Sequence, residues 1–264
     1  MTIEGHMGVA NDGQVHYHPV PNLGFSSAVD LVKQLIDIFP DDFGTQAPGH
    51  PHGQEPSRPR PRGTRNAAHR GPVFLPWHRF MLILLELQLQ RVLGDQDFGI
   101  PYWDWAADGE LGESEQAAAP IWSAVYMGGQ GNPVTTGHFA FDAADPTSWR
   151  VQVDADVQGR LRATNRGLRR AFGQFVPTLP RVSQVEDALA LTTYDAPPWD
   201  TTSAEFRNRV EGWQPLDTAP GLHNRVHVWV GGDMLPSSSP NDPVFYLNHC
   251  NEDRIWANAV KLEI

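Results

Sequence analysis

Residues 221–232 read GLHNRVHVWVGG, and residues 239–257 read SPNDPVFYLNHCNEDRIWA. These segments place His223 and His227 four residues apart, with His249 beyond a turn-rich connection. Residues four apart on a helix share one face, so both imidazoles can reach the same metal ion. A third histidine from the second segment would complete a three-nitrogen site with an open coordination position. We therefore expect a metal site between two helices.

A second group of histidines lies far upstream, in NAAHRGPVFLPWHRF at residues 66–80. His69 and His78 are separated by Pro72 and Pro76, so they cannot occupy adjacent turns of one helix. We expect His69 on a loop or helix end and His78 at the opening of the following helix. Two separated histidine groups predict two metal ions side by side.

Composition excludes several classes of protein. The chain has 264 residues and a formal net charge of −11, which argues against a nucleic-acid binder. Its one cysteine permits neither an intrachain disulfide nor a cysteine-based metal cluster. No apolar run predicts a membrane-spanning helix, and no secretory signal pattern is recognisable. The compartment, cytoplasmic or extracellular, is left open.

Hydrophobic periodicity predicts a mostly α-helical protein with long loops. Residues 1–26 are set apart as an N-terminal segment, because the opening MTIEGHMG resembles an added leader. Residues 40–66 are rich in Pro, Gly and Arg, which is typical of a loop. Ser239 or Asn241–Asp242 is expected to cap the last helix. The predicted helices cover 27–39, 79–93, 156–172, 183–191, 203–211, His223–Val230 and Pro243–Lys261.

The type of donor narrows the choice of metal. Imidazole suits zinc, copper, iron and nickel. Hydrolytic two-metal sites usually include bridging carboxylates, and the acidic residues near these histidines are poorly placed for bridging. Three neutral histidines per ion favour a metal that changes its charge in reactions with O2. A zinc or manganese hydrolase is the weaker alternative.

The two histidine segments resemble the signatures of one known family. RNAAHRGPVFLPWHRF is similar to the copper-A signature of the tyrosinase family of type-3 copper proteins, and GLHNRVHVWVGG with PNDPVFYLNH and DRIWA is similar to its copper-B signature. Connecting segments such as IPYWDW and FRNRVEGW resemble bacterial tyrosinases, so the resemblance covers residues 64–258. It implies one copper-binding catalytic domain over 27–264, mainly α, with a four-helix-bundle dicopper core.

The resemblance also implies a set of copper ligands. Two copper ions would each be held by three histidines. For the first copper, His52 is preferred to His50, because a histidine followed by glycine recurs at this position in the family. The implied ligands are His52 (or His50), His69 and His78 for one ion, and His223, His227 and His249 for the other.

The implied activity is phenol oxidation with O2. Family members hydroxylate monophenols ortho to the hydroxyl group and oxidise o-diphenols to o-quinones, which links them to melanin biosynthesis. Asn224 and Glu211 match the residues that hold a water as base for the phenol proton. The segment GWQPLDTAPG after Glu211 is longer than in bacterial relatives, so Glu211 could be displaced. The implied partners are small phenols, O2 and a copper-delivery caddie protein, with the chain acting as a monomer or homodimer.

Departures from the family pattern keep two alternatives open. Asn248 replaces the usual first histidine of a His-His pair, Val228 suggests a more apolar or open entrance, and Ala67 rules out a thioether crosslink. Cys250 is expected to be a buried small hydrophobe. Beyond the copper-B helix, no shielding C-terminal segment is expected. The alternatives are a catechol or o-aminophenol oxidase that hydroxylates weakly and, with less support, a hemocyanin-like O2 binder.

Overall fold

The computed structural model describes residues 5–9, 15–19, 68–155, 161–214 and 220–261. The helix predicted at 27–39 and the candidate ligands His50 and His52 lie outside these ranges.

Helices dominate the regular structure of the described residues, which confirms the prediction of a mainly α protein. The α-helices are α1 (Phe74–Leu93), α2 (Trp105–Asp108), α3 (Glu113–Gln116), α4 (Val182–Leu189), α5 (Phe206–Glu211), α6 (Leu222–Val230) and α7 (Val244–Lys261). Two antiparallel strand pairs accompany them: β1 (Gly5–Val9) with β2 (Val15–Pro19), and β3 (Val151–Ala155) with β4 (Leu161–Arg166). Short 3-10 turns cover Pro120–Trp122, Gly232–Met234 and Ser239–Asn241.

Four of these helices pack around one hydrophobic core. Helix α1 lies against α7 and α5, and α6 lies against α5 and α7. Their buried faces meet through large apolar side chains such as Phe74, Trp229 and Ile255. In the described part of the chain, no helix has both the length and the apolar character needed to cross a bilayer. The packing brings the histidine-bearing helices α1, α6 and α7 together.

Helix α1 begins five residues before the predicted start at residue 79. Pro76 favours a helix start beyond it, because proline usually breaks a helix interior. Pro76 lies within the first turn, where backbone N–H groups have no intrahelical acceptor and a missing donor costs little. The earlier start puts Phe74 and His78 one turn apart on the same buried face.

Helix α7 starts where the sequence predicts, and Asp242 is its cap. The Asp242 Oδ1 atom accepts a hydrogen bond from the Val244 N–H at 3.0 Å. The same carboxylate forms a bidentate pair with Arg170, both contacts being 2.7 Å, and both side chains are fully buried. Arg170 also donates to the carbonyl oxygens of Met127 and Gly128. One ion pair thus fixes the start of α7 and anchors the loop at residues 127–128.

The helix predicted at 156–172 is wrong. Residues 161–166 instead form β4, which pairs with β3 so that Asp154 lies opposite Arg162. Val151, Val153 and Thr164 are β-branched, which favours the extended form. Gly167 then approaches Pro133 so closely that a Cβ atom would lie 2.4 Å from the proline Cβ. Strand pairing and this close packing override the local helical pattern.

Replacing Arg170 with methionine should destabilise the protein strongly, because it leaves Asp242 as a buried charge without its cation. We expect the free energy of unfolding to fall by about 3–5 kcal/mol in urea denaturation. The matched control is Arg254→Met, which removes a surface pair with Asp104 whose side chains are 34% and 39% exposed. That change should cost less than about 1 kcal/mol. Equal losses in the two variants would contradict the structural role of the buried pair.

Candidate metal centre

The two helices predicted from the deciding segments bring three histidines together. His223 and His227 lie on one face of α6, and His249 projects from α7. Their ligand atoms all lie within 4.8 Å of one another. One metal ion with nitrogen bonds of about 2.0–2.1 Å holds its ligand atoms no more than about 4 Å apart, so a small inward movement of the three imidazoles would let all of them bind it.

The upstream histidines reach the same place. The rings of His78 and His249 stack with centroids 4.3 Å apart, and the rings of His69 and His78 lie 5.1 Å apart. His69 also approaches His223, with ring centroids at 6.1 Å. Five histidines separated by up to 180 positions in the chain therefore form one cluster. His50 and His52, the candidates for a sixth ligand, lie outside the described residues.

Four of the five histidines in the cluster are oriented in the same way. Each places Nδ1 against a backbone carbonyl, which can only accept a hydrogen bond, so Nδ1 carries the proton. Each Nε2 atom is buried and has no hydrogen-bond partner among the described residues. The Nδ1 pairs are His78 with Phe74 at 2.8 Å, His223 with Glu211 at 3.2 Å, His227 with Met234 at 2.7 Å, and His249 with Phe245 at 2.7 Å.

The cluster is held in the neutral form. Burial, together with the neighbouring His227 and Arg70, lowers the pKa of His69 to about 4. Burial lowers the pKa of His227 to about 4 as well. Burial and the other histidines hold the pKa values of His78, His223 and His249 well below the usual range. Neutral imidazoles with free Nε2 lone pairs are ready to bind a metal without first losing a proton.

Glu211 ends α5 beside this cluster and is fully buried. Its Oε1 atom accepts from the backbone N–H of Arg70 at 2.6 Å and from the indole N–H of Trp213 at 2.8 Å. Its Oε2 atom accepts from Arg207 at 2.9 Å. Burial raises the pKa of Glu211, and these three donors oppose that rise. The sequence predicts Glu211 near the metal site, and the structure shows that its carboxylate there already accepts three hydrogen bonds.

The two ends of the segment after Glu211, at Gly212 and Gly221, are in contact. The Gly221 N–H donates to the Gly212 carbonyl at 2.9 Å, and Gly212 has a φ of 95°. A Cβ atom on Gly212 would lie 2.7 Å from the Gly221 carbonyl carbon, so the two glycines allow the chain ends to touch. Glu211 is not displaced from the cluster, because its carbonyl oxygen lies 3.2 Å from His223 Nδ1. Asn224 reaches the same ring edge, with Oδ1 3.1 Å from His223 Nδ1.

The histidine geometry has a counterpart in known proteins. A family model described as the common central domain of tyrosinase matches residues 40–258. This chain belongs to the tyrosinase family. The family is one of dicopper proteins, and the donors found here fit copper, because neutral imidazole is a good copper ligand and four buried Nε2 atoms have no other partner among the described residues.

Individual relatives agree with this assignment. The tyrosinase of Streptomyces glaucescens is 44% identical over 193 residues, which cover 72% of this chain and 62% of that protein. Grixazone synthase of Streptomyces griseus is 40% identical over 215 residues, covering 73% of this chain and 66% of that protein. A solved polyphenol oxidase from Thermothelomyces thermophila shares the fold, with a TM-score of 0.54 at 22% identity over 73% of this chain and 55% of that one. The chain therefore spans less than two thirds of the curated relatives' length.

One buried residue beside the tyrosinase-family cluster was missed by the sequence argument. The Glu252 carboxylate lies 4.0 Å from Nε2 of His249, and neither of its oxygens has a hydrogen-bond partner among the described residues. Burial raises the pKa of Glu252 well above its usual range, and the nearby charge of Glu211 adds to this. The signal was present, because a residue three positions after His249 on a helix shares its face.

The structure shows how deeply Asn248, Val228 and Cys250 are buried. Asn248 is fully buried, and its side-chain amide has no hydrogen-bond partner among the described residues. Val228 is half-buried and packs against the core, as does Cys250. Burial raises the pKa of the Cys250 thiol to about 12, so the thiolate is disfavoured. None of these three residues places a new metal-binding atom in the histidine cluster as described.

The copper-free protein should lose stability when acidified below the ordinary histidine pKa of 6.5. Because the folded pKa values are lowered, the unfolded chain binds more protons between pH 6.5 and about 4, and stability falls as the pH falls. Each pKa unit corresponds to about 1.4 kcal/mol. Urea midpoints measured from about pH 7 to about pH 5 give this slope.

The variant His227→Gln removes one of these buried histidines and should flatten the slope. If the wild type and this variant lose equal stability over the same range, the histidine cluster is not the source of the acid sensitivity.

Proposed function

We propose that this chain is a phenol oxidase that uses O2 at a pair of copper ions. It oxidises o-diphenols to o-quinones and hydroxylates monophenols at the ortho position. The observation that carries the proposal is the convergence of histidines from two distant segments, with four Nε2 lone pairs facing a common space. Relatives named tyrosinase and grixazone synthase support it.

The histidines divide into two ligand groups. When bound, the copper pair supplies O2 activation and the acceptance of electrons from the phenol. The second group is the one whose ligand atoms already lie within 4.8 Å of one another. We assign His69 and His78, with His52 (or His50), to one copper, and His223, His227 and His249 to the other.

The protein's own contribution is to hold these ligands rigid. The Nδ1 to carbonyl bonds fix both the tautomer and the direction of each ring. Phe245 packs on His249 with ring centroids 3.9 Å apart, and Phe74 packs on His223 at 4.9 Å. These aromatic rings exclude water from the inner side of the site. Within the described part of the chain, His69, Asn224 and His227 retain some exposure, and we propose that a phenol ring approaches from their side.

A monophenol must also lose its hydroxyl proton, whose pKa is about 10 in water. We propose that Glu211 and Asn224 hold the water that receives it. A carboxylate has about four lone-pair positions, and three on Glu211 are taken by Arg70, Trp213 and Arg207. The position left on Oε2 is available for a water molecule. Asn224, beside His223, offers the second contact.

The same geometry supports a second candidate, a catechol or o-aminophenol oxidase. The three donors oppose the rise that burial causes in the pKa of Glu211, so this residue is a weaker base than a buried carboxylate without partners. An o-diphenol or o-aminophenol needs less help with deprotonation than a monophenol does. Copper delivery by a caddie protein, the monomer or homodimer state, and the compartment stay predictions of the resemblance and the sequence.

Oxygen consumption by the copper-loaded protein tests the proposal. With L-DOPA, tyrosine and o-aminophenol as separate substrates, we expect copper-dependent O2 uptake with quinone formation. Uptake with all three supports a tyrosinase, and uptake without tyrosine turnover supports the second candidate. Full copper loading with no O2 uptake on any of them would overturn the phenol oxidase assignment.

The variant Glu211→Gln should lower the ratio of tyrosine hydroxylation to L-DOPA oxidation by about 100-fold, because loss of a positioned base typically costs 10²–10⁴-fold. Initial rates on the two substrates measure this ratio. Glu186→Gln on the exposed face of α4 is the matched control and should leave the ratio unchanged. A proportional loss of both activities in Glu211→Gln would show that the residue has no specific role in deprotonation.

A further inference from the structure

The exposed side of the histidine cluster carries a positive charge. His78, His223 and His249 are buried, whereas His69 and His227 are partly exposed. Solvent and substrate therefore reach the cluster from the side of His69 and His227. Arg70 directly follows His69, and its side chain is exposed.

The backbone of Arg70 is held in an unusual conformation. Its φ is 63°, in the left-handed region that costs a residue with a side chain about 1 kcal/mol or more. Its N–H donates to Glu211 Oε1 at 2.6 Å, and that bond offsets the strain. The base of the side chain is thus fixed in relation to Glu211 and to the adjacent ligand candidate His69.

An aromatic ring positions the far end of Arg70. The guanidinium carbon lies 4.6 Å from the Trp213 ring centroid, in the geometry of a cation–π contact. Trp213 is itself fixed, because its indole N–H donates to Glu211. Trp213 is 36% exposed, so the stacked guanidinium faces solvent on its other side. Arg70, Trp213 and Glu211 form one contact chain that ends at the His223 ring.

The Arg70 guanidinium has no carboxylate partner among the described residues. This is notable in a chain of net charge −11. Other described arginines near the core, such as Arg170 and Arg207, form close ion pairs. A guanidinium that packs over an indole ring can still present its N–H groups to a planar, bidentate partner, and a carboxylate fits that geometry best.

We propose that Arg70 is a specificity-determining residue of this site, whose guanidinium binds the carboxylate of phenols and o-diphenols that carry one. The inference rests on the proposed function and names the residue that favours charged over uncharged substrates at the same site. The phenolic ring would enter beside the histidines, with its hydroxyl end toward them. Its carboxylate end would then lie at the exposed edge, where Arg70 and Trp213 meet.

A matched pair of substrates tests the proposal. Copper-loaded wild type, Arg70→Gln and Arg70→Lys are assayed with 3-(3,4-dihydroxyphenyl)propionate and its methyl ester, which differ in charge but not in the reacting ring. We expect the acid-to-ester ratio of kcat/KM to fall about tenfold in Arg70→Gln and to be partly kept in Arg70→Lys. High salt should lower the ratio in the wild type.

The control variant is Arg181→Gln, at an exposed position before α4 and away from the site. It should keep the wild-type ratio. An unchanged ratio in Arg70→Gln overturns the proposal. If that variant also melts at a lower temperature, the guanidinium serves only to pack on Trp213.

A binding measurement separates this proposal from the proposed function. Isothermal titration calorimetry of the copper-loaded protein compares 3-phenylpropionate with 3-phenylpropionamide, neither of which can be oxidised as a phenol. We expect tighter binding of the carboxylate in the wild type and no preference in Arg70→Gln. If the wild type does not turn over phenols, the proposed function is overturned. The calorimetric comparison still tests whether Arg70 binds a carboxylate, because neither ligand has to react. Equal binding of the two ligands by the wild type overturns the proposal.

Discussion

Four imidazole Nε2 atoms face a common buried space, and none of them accepts a hydrogen bond from the described residues. A buried polar atom without a partner costs about 1–3 kcal/mol. Because every Nδ1 is already committed to a carbonyl, the rings cannot turn to repair this by exchanging roles. A pair of metal ions would satisfy all of these lone pairs together. The fold therefore stores an unfavourable arrangement that copper binding relieves.

Much of the remaining structure keeps that arrangement in place. Glu211 links the two histidine groups, because its carboxylate holds the backbone after His69 while its carbonyl orients His223. Arg207 neutralises the charge that this buried carboxylate brings. On the other side, Asp242 caps the helix that carries His249 and is held by Arg170. Two buried ion pairs thus set the positions of candidate ligands on α6, on α7 and in the turn before α1.

The sequence predicted what depends on local spacing. His223 and His227 share a face because a helix repeats every 3.6 residues, and the Asp242 cap follows from the preference of such positions for a side-chain acceptor. Features that depend on tertiary contacts could not be predicted in this way. The pairing of β3 with β4 overrode a helical pattern, and the left-handed Arg70 is stabilised only by a carboxylate 141 positions away. The spacing of Glu252 from His249 is visible in the sequence, but the full burial of its carboxylate depends on how α7 packs.

The central claim is that these histidines hold two copper ions close enough to act as one centre. The most direct test is to load the copper-free protein, oxidise it, and measure copper content by mass spectrometry together with the EPR spin count. The account predicts two copper ions per chain with almost no EPR signal, because the spins of adjacent copper(II) ions cancel by coupling. One copper per chain, or two with a full spin count, would contradict it.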